Sequence, residues 1–220
     1  MDLKGKKIIF LGDSITEGII GLSEIKNNFP NRIADLTGAT CLNYGVSGTK
    51  IQNMIFQYDH EARNESFIQR VPRMESDADV IIVFGGTNDW GEGDAELGVM
   101  SDRDPHTFYG ACHTLFTDLI NKYPKAEIVV LTPLHRRREN VPEADGLRHI
   151  QNNAILVDYV NIIREVAEFY ALPVLDLWKC GRFQPAVPIL KEKYMPDGLH
   201  PNDDGHEIIA NRIIGLLKSL

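Results

Sequence analysis

The sequence predicts an α/β protein, a three-layer sandwich in which helices cover both faces of a parallel five-stranded sheet. Two observations carry this prediction. Short, continuous apolar runs alternate along the chain with longer segments of helical periodicity, which is the pattern of repeated βαβ units. The apolar runs also lack a strict alternation of polar and apolar residues, as expected for strands that are buried on both faces.

The elements follow in order. The predicted strands are residues 7–11, 40–44, 80–84, 128–132 and 173–177. The predicted helices are residues 29–37, 66–75, 105–122, 153–170 and 203–217, and the last is capped by Asn202 or Asp203. Right-handed crossovers between the strands favour the flavodoxin-like order 2-1-3-4-5 in one sheet. No repeat or linker divides the sequence, so we expect a single domain over residues 1–220.

Composition narrows the class of protein. The chain of 220 residues is 43% hydrophobic and 25% charged, as soluble globular proteins are, and its net charge of -8 argues against a nucleic-acid binder. Cys41, Cys112 and Cys180 are scattered without CxxC spacing, which disfavours a disulfide framework or a zinc cluster. The apolar run at residues 8–11 is short beside the roughly 7–15 residues of a secretory signal or the roughly 20 of a membrane span. We therefore expect a cytoplasmic protein that binds neither nucleic acid nor membrane, as a monomer or a homo-oligomer.

Residues of the types used in catalysis follow the predicted strands. Ser14 comes after the first strand, Gly45 after the second and Asn88 after the third, while Asp197 and His200 come after the fifth. The carboxyl ends of parallel strands lie at one edge of a sheet, where open α/β folds bind their ligands. The five residues are therefore expected to meet at a common rim.

The residue types at this rim suit acyl transfer. A serine hydroxyl such as that of Ser14 becomes a nucleophile when a base takes its proton, and the imidazole of His200 is such a base. Asp197 can accept a hydrogen bond from the other ring nitrogen. Attack on an ester carbonyl places negative charge on oxygen, and the backbone N–H groups of Ser14 and Gly45 and the side-chain amide of Asn88 are candidate donors to it.

Four segments, GDSITEG, NYGVSG, GGTND and DGLHP, resemble in order and spacing blocks I, II, III and V of the SGNH (GDSL) hydrolase family. The resemblance spans residues 12–201. It implies Ser14 as the nucleophile, Gly45 and Asn88 as oxyanion donors, and Asp197 and His200 as the other members of a catalytic triad. It also implies the three-layer fold that the hydrophobic pattern predicts.

These observations predict a serine esterase that cleaves short acyl groups, acetyl in particular, from a sugar or another small polar alcohol. Polar loops without an evident hydrophobic lid favour a small-molecule ester as the substrate. An acyl-CoA thioesterase and a lysophospholipase of the same family are open alternatives. A non-catalytic flavodoxin-like binding module is the alternative outside enzymes, since a fold alone does not establish catalysis.

Several neighbouring residues have two interpretations. Trp90, which follows GGTND, either lines an acyl or sugar subsite or belongs to the core. Arg136, Arg137 and Arg138 either reach the rim of the site or form a solvated loop, and the solvated loop is favoured. Asp13 is expected to hold the Ser14 turn by bonding to nearby backbone.

The spacing of the other histidines and of the acidic residues near the last helix predicts no metal site, and we expect no cofactor. His206 is expected to be solvated or to cap the last helix. The remaining histidines lack the HxH and HExxH spacings of metal ligands; they are His60, His106, His113, His135 and His149. Asp197, Asp203 and Asp204 lack the spacing of a calcium-binding loop.

Overall fold

The computed structural model describes residues 1–21, 23–145 and 153–220 and contains a five-stranded parallel sheet covered by helices. The strands in chain order are β1 (Lys7–Gly12), β2 (Ile19–Ile20), β3 (Ser23–Glu24), β4 (Thr40–Gly45), β5 (Val80–Phe84), β6 (Glu127–Leu131) and β7 (Val174–Leu175). The short strands β2 and β3 pair with each other as an antiparallel hairpin. The other five form the sheet in the order β4-β1-β5-β6-β7, with every pair parallel. The predicted fold class and strand order are therefore confirmed.

The helices surround this sheet. They are α1 (Ser14–Glu17), α2 (Phe29–Thr37), α3 (Phe67–Arg70), α4 (Thr87–Glu92), α5 (Phe108–Lys122), α6 (Leu156–Phe169), α7 (Leu177–Cys180), α8 (Pro188–Tyr194) and α9 (Asp203–Ser219). The segment predicted as one helix over residues 66–75 is instead α3 followed by a 3-10 turn, Val71–Arg73, because Pro72 has no N–H to continue the helical bonding. No helix in the described ranges is long and apolar enough to cross a membrane. Residues 146–148 of the loop predicted at 135–148, and His149, lie outside the described residues.

The core consists of two apolar clusters, one on each face of the sheet. Ile9 and Leu11 of β1 belong to the cluster that includes α5 and α6, whereas Ile8 and Phe10 belong to the cluster that includes α2 and α9. All four side chains are fully buried. Successive residues of a strand point to opposite faces, so burial of both sets explains why the strand is a continuous apolar run in the sequence.

Strand register brings the functional loops to one edge. Gly12, the last residue of β1, is paired with Gly45 of β4 on one side and with Phe84 of β5 on the other. The residues that follow these three strands therefore begin side by side at the carboxyl edge of the sheet. Ser14 lies at the centre of this row, since β1 is flanked by β4 and β5.

Candidate active site

Ser14, His200 and Asp197 are joined by hydrogen bonds. The Ser14 Oγ lies 3.0 Å from His200 Nε2, and His200 Nδ1 lies 2.7 Å from Asp197 Oδ2. The other carboxylate oxygen, Asp197 Oδ1, accepts the backbone N–H groups of Leu199 at 2.8 Å and of His200 at 2.7 Å. The structure thus brings together three of the predicted site residues, in the order hydroxyl, imidazole, carboxylate.

The environment of Asp197 keeps this residue ionised. Burial alone would raise the pKa of its carboxyl group, but the hydrogen bonds from the His200 side chain and from two backbone N–H groups lower that pKa to about 2. An ionised Asp197 accepts a proton-bearing Nδ1, so Nε2 of a neutral His200 is left as an acceptor for the Ser14 hydroxyl. This tautomer is the one that a general base needs.

Asp13 shapes the turn that presents Ser14. It is the N-cap of α1, and its Oδ1 accepts the backbone N–H of Ile15 at 3.0 Å. Gly18 ends the helix in a left-handed conformation, with φ of 91°, and its N–H donates to the Ser14 carbonyl. Asp13 is only 2% exposed, and this burial raises the pKa of its carboxyl group to about 6. The bond to nearby backbone that the sequence predicts is therefore present.

Gly45 is placed differently from the prediction. Its N–H donates to Asn43 Oδ1 at 2.8 Å, so this donor is already used within the protein. A Cβ atom at this position would lie 2.1 Å from the backbone nitrogen of Glu17. The assignment of Gly45 as an oxyanion donor is therefore wrong in this geometry, and its glycine is required because β4 passes so close to α1.

Asn88 and Asp89, both in α4, bind the backbone of the loop that follows β4, which we call the post-β4 loop (residues 46–52). Asn88 Nδ2 donates to the carbonyl of Thr49 at 3.1 Å. The carboxylate of Asp89 accepts the N–H groups of Ile51 at 3.1 Å and Gln52 at 3.0 Å. Asp89 is fully buried, and burial raises the pKa of its carboxyl group to about 6 despite these bonds. The GGTND segment therefore fixes the post-β4 loop beside the Ser14 turn.

Gly48 of the post-β4 loop is a candidate oxyanion donor that was not predicted from the sequence. Within the described residues its N–H donates no hydrogen bond, in contrast to that of Gly45. Its φ of +75° is accessible to glycine at little cost, and it directly precedes Thr49, whose carbonyl binds Asn88. The signal was available as the second glycine of NYGVSG, but the segment alone does not tell which of two glycines keeps a free N–H.

Arg70, like Gly48, lies beside the candidate site and was not predicted from any sequence motif. Its guanidinium group donates to the carbonyls of Tyr44 at 2.6 Å and Gly12 at 3.0 Å and to Thr49 Oγ1 at 3.0 Å. The side chain is 6% exposed, and burial lowers its pKa to about 10. Arg70 therefore links the ends of β1 and β4 to the post-β4 loop through these hydrogen bonds.

Trp90 and Arg136 belong to the interior. The Trp90 side chain is fully buried in the cluster that contains α5 and α6, and the Arg136 guanidinium lies 4.9 Å from its ring centre. Arg136 is 2% exposed, donates to Thr87 Oγ1 at 3.0 Å and pairs with Asp145. The subsite role predicted for Trp90 is therefore wrong, and so is the solvated position predicted for Arg136.

Arg137 and Arg138, in contrast, are exposed as the solvated-loop interpretation predicts. The backbone N–H of Arg137 donates to the Gly198 carbonyl at 2.7 Å. Gly198 lies between Asp197 and His200, so the start of the loop after β6 borders the candidate active site.

His206 is buried, not solvated. Its Nδ1 accepts the backbone N–H of Phe29 at 3.1 Å, and its ring stacks on the Phe29 ring with 5.8 Å between centroids. Burial lowers the pKa of this imidazole to about 4. His206 therefore joins the start of α2 to α9 as a neutral core residue. In the described part of the chain, no group of three or more His, Cys, Asp or Glu side chains could hold a metal ion.

Comparison with known proteins adds a family and related structures. Residues 10–208 match the profile of the GDSL-like lipase/acylhydrolase family. The protein in one crystal structure is 31% identical to this chain and superposes on it with a TM-score of 0.85. The alignment covers 100% of this chain and 99% of the other. A protein from Lactobacillus plantarum is 29% identical, with 98% of each chain covered and a TM-score of 0.81.

More distant structures extend the likeness in fold alone. The lipase/acylhydrolase from Enterococcus faecalis is 20% identical over 97% of this chain and 96% of its own, with a TM-score of 0.67. None of the curated proteins compared with the chain is similar enough to count as a relative.

Proposed function

Because this chain belongs to the GDSL-like lipase/acylhydrolase family, a family of hydrolases, we propose that it is a serine esterase acting on short acyl esters, acetyl esters in particular. The observation that carries the proposal is the hydrogen-bonded series of Ser14, His200 and Asp197 at the carboxyl edge of the sheet. In this proposal Ser14 is the nucleophile, His200 the general base and Asp197 the group that orients the imidazole.

The first half of the reaction transfers the acyl group to Ser14. As Ser14 Oγ bonds to the carbonyl carbon of the ester, its proton passes to His200 Nε2. The positive imidazolium is stabilised by the carboxylate of Asp197, which lies 2.7 Å from Nδ1. When the tetrahedral intermediate collapses, the bond to the alcohol breaks and the alcohol leaves with the proton from Nε2.

The second half returns the enzyme to its starting state. Water gives a proton to His200 Nε2 while its oxygen bonds to the acyl carbon. Collapse of this second intermediate breaks the bond to Ser14 Oγ, which regains the proton, and releases the carboxylic acid. Each half passes through an oxyanion, and stabilising that charge is usually the largest single contribution to such catalysis.

We assign the oxyanion donors to the Ser14 N–H, the Gly48 N–H and the Asn88 side-chain amide. Asn88 uses one amide hydrogen on the Thr49 carbonyl, which leaves the second hydrogen for the substrate. Gly48 takes the role that the sequence predicts for Gly45, since the Gly45 N–H is bonded to Asn43. The bonds from α4 and Arg70 to the post-β4 loop support this assignment, because they fix the donors before the substrate arrives.

We further propose that the alcohol part of the substrate is small and polar, such as a sugar. The support is the exposed pair Arg137 and Arg138 beside the loop that carries Asp197 and His200. Arginine side chains on this side of the site offer hydrogen-bond donors to hydroxyl or anionic groups.

The direct test of the esterase is the Ser14→Ala variant with p-nitrophenyl acetate as the substrate. We expect loss of nearly all activity, and wild-type protein treated with an organophosphonate should carry the label on Ser14 in mass spectrometry. Full activity in Ser14→Ala would overturn the proposed function. A panel of acetylated sugars, acyl-CoA and lysophospholipid, with free acid measured, then separates the proposed substrate class from a thioester or a phospholipid.

A further inference from the structure

Glu17 connects the helix that carries the proposed nucleophile to the loop that carries a proposed oxyanion donor. It is the last residue of α1, three residues after Ser14. One carboxylate oxygen, Oε2, accepts the backbone N–H of Ser47 at 2.7 Å and the Ser47 Oγ hydroxyl at 2.5 Å. Ser47 directly precedes Gly48, so both bonds hold the residue whose carbonyl shares a peptide unit with the Gly48 N–H.

We propose that Glu17 is a positioning residue, which fixes the Gly48 N–H relative to Ser14 Oγ. The inference rests on the proposed function, because it assigns these two groups to one reaction. Hydrogen bonds to a carboxylate are shorter and stronger than those between neutral groups, so two of them on one oxygen define the spacing well. Small displacements of reacting groups, on the order of 1 Å, cost about 100-fold in rate.

The other side-chain bonds to the post-β4 loop, within the described residues, come from different directions. Arg70 and Asn88 bind Thr49 from α3 and α4, and Asp89 binds the end of the loop from α4. Lys50 Nζ donates to the Gly48 carbonyl at 2.9 Å and pairs with Glu92, the last residue of α4, at 3.3 Å. Asn43 does reach α1, by donating to the Thr16 carbonyl, but it does so from β4, before the loop begins. Loss of Glu17 should therefore leave the loop folded while its Ser47–Gly48 part loses its fixed distance from α1.

The contribution of Glu17 is geometric and not electrostatic. A carboxylate near a developing oxyanion repels it, so charge at this position gives no stabilisation to the transition state. Its presence next to the donor loop is explained by the two bonds to Ser47. The role of Glu17 therefore differs from that of the oxyanion donors, because the donors contact the substrate and Glu17 does not.

The test compares Glu17→Ala, Glu17→Gln and Ser47→Ala with wild type, and uses Glu207→Gln as a matched control at an exposed position of α9. Steady-state kinetics on p-nitrophenyl acetate give kcat and KM, and inhibition by a phenylboronic acid reports on the oxyanion donors because its serine adduct is tetrahedral. We expect Glu17→Ala to lower kcat about 10- to 100-fold and to weaken boronate inhibition in parallel, with KM unchanged and Tm lowered by only a few degrees. The kcat of Glu17→Gln should lie between those of wild type and Glu17→Ala, since an amide oxygen can still accept the Ser47 bonds.

Ser47→Ala removes one of the two bonds without touching α1. It should lower kcat less than Glu17→Ala does, and it should add little to the effect in a double variant, because the two residues share one interaction. If Glu17→Ala does not fold, Glu17→Gln and Ser47→Ala decide the question.

Two results would overturn the proposal. One is a wild-type kcat and wild-type boronate affinity in the folded Glu17 variants. The other is a loss confined to KM or to Tm in all three variants, which would make Glu17 a structural residue. Either result, together with an inactive Ser14→Ala, would refute the positioning role and leave the esterase standing. An active Ser14→Ala would refute the esterase first.

Discussion

Replacing Asp13 with asparagine tests whether the turn that presents Ser14 is built around a buried acid. Burial raises the pKa of the Asp13 carboxyl group from 3.8 to about 6, although the bond from the Ile15 N–H and the charge of His200 act in the opposite direction. Asparagine cannot ionise, yet its carbonyl oxygen can still accept the Ile15 N–H. The variant therefore removes the titration and keeps the cap.

The sign and size of the effect follow from proton linkage. Between pH 4 and pH 6 the unfolded chain releases the Asp13 proton while the folded chain retains it, so the free energy of unfolding falls as the pH rises and is level above pH 6. A shift from 3.8 to about 6 corresponds to about 3 kcal/mol at 1.36 kcal/mol per pKa unit. Most of this loss, about 2 kcal/mol or more, lies between pH 4 and pH 8. Asp13→Asn should be free of it.

The assay is urea unfolding followed by circular dichroism at pH 4 and pH 8. Relative to wild type, Asp13→Asn should gain about 2 to 3 kcal/mol in free energy of unfolding between the two pH values. Taking the difference between the proteins cancels the titration of the shared groups that do not interact with Asp13. Asp35→Asn, at an exposed position of α2, controls for the loss of one negative charge. A difference between wild type and Asp13→Asn that is equal at both pH values would refute the reasoning.

Two further predictions concern a donor and the buried histidine. Asn88→Ala should lower kcat roughly 100- to 1000-fold, the usual effect of losing one oxyanion donor, and should also destabilise the fold because the Thr49 carbonyl loses its donor. Thr107→Ala is the control for destabilisation: it removes the N-cap bond of α5, which should lower stability by about 1 kcal/mol and leave kcat at the wild-type value. A wild-type kcat in Asn88→Ala would contradict the donor role. His206 has a pKa lowered from 6.5 to about 4, so the unfolded chain is protonated first in acid and stability falls by about 3 kcal/mol from pH 7 to pH 4. His206→Gln should therefore show a smaller difference in urea midpoint between these pH values than wild type, and an equal difference would show that His206 does not titrate in this way.

The architecture and the family could be predicted because they depend on patterns that repeat along the chain. Continuous apolar runs predict strands buried on both faces, and β1 is buried in this way. The match over residues 10–208 confirms the family resemblance drawn from four short segments. The meeting of Ser14 with His200 agrees with the rule that parallel strands place their carboxyl ends at one edge, although α7 and α8 lie between β7 and His200.

The direction of individual groups could not be predicted in the same way. Gly45 and Gly48 are both glycines of one segment, and only the bond from Gly45 to Asn43 shows which N–H is already used. Trp90 lies in α4, a helix too short to have a hydrophobic period that would show which way its side chain faces. His206 was predictable in principle, because it shares a helical face with Ile209 and Ile213, both buried.

The tight passage of β4 against α1 decides where a protein engineer can widen this site. Any side chain at position 45 would meet the Glu17 backbone and push the first helix, with Ser14, out of line with His200. Position 45 should therefore be kept as glycine in a mutant library aimed at bulkier substrates. Substitution of the exposed Arg137 and Arg138, beside the loop that carries Asp197 and His200, is the alternative, because these side chains can change size without moving the reacting serine.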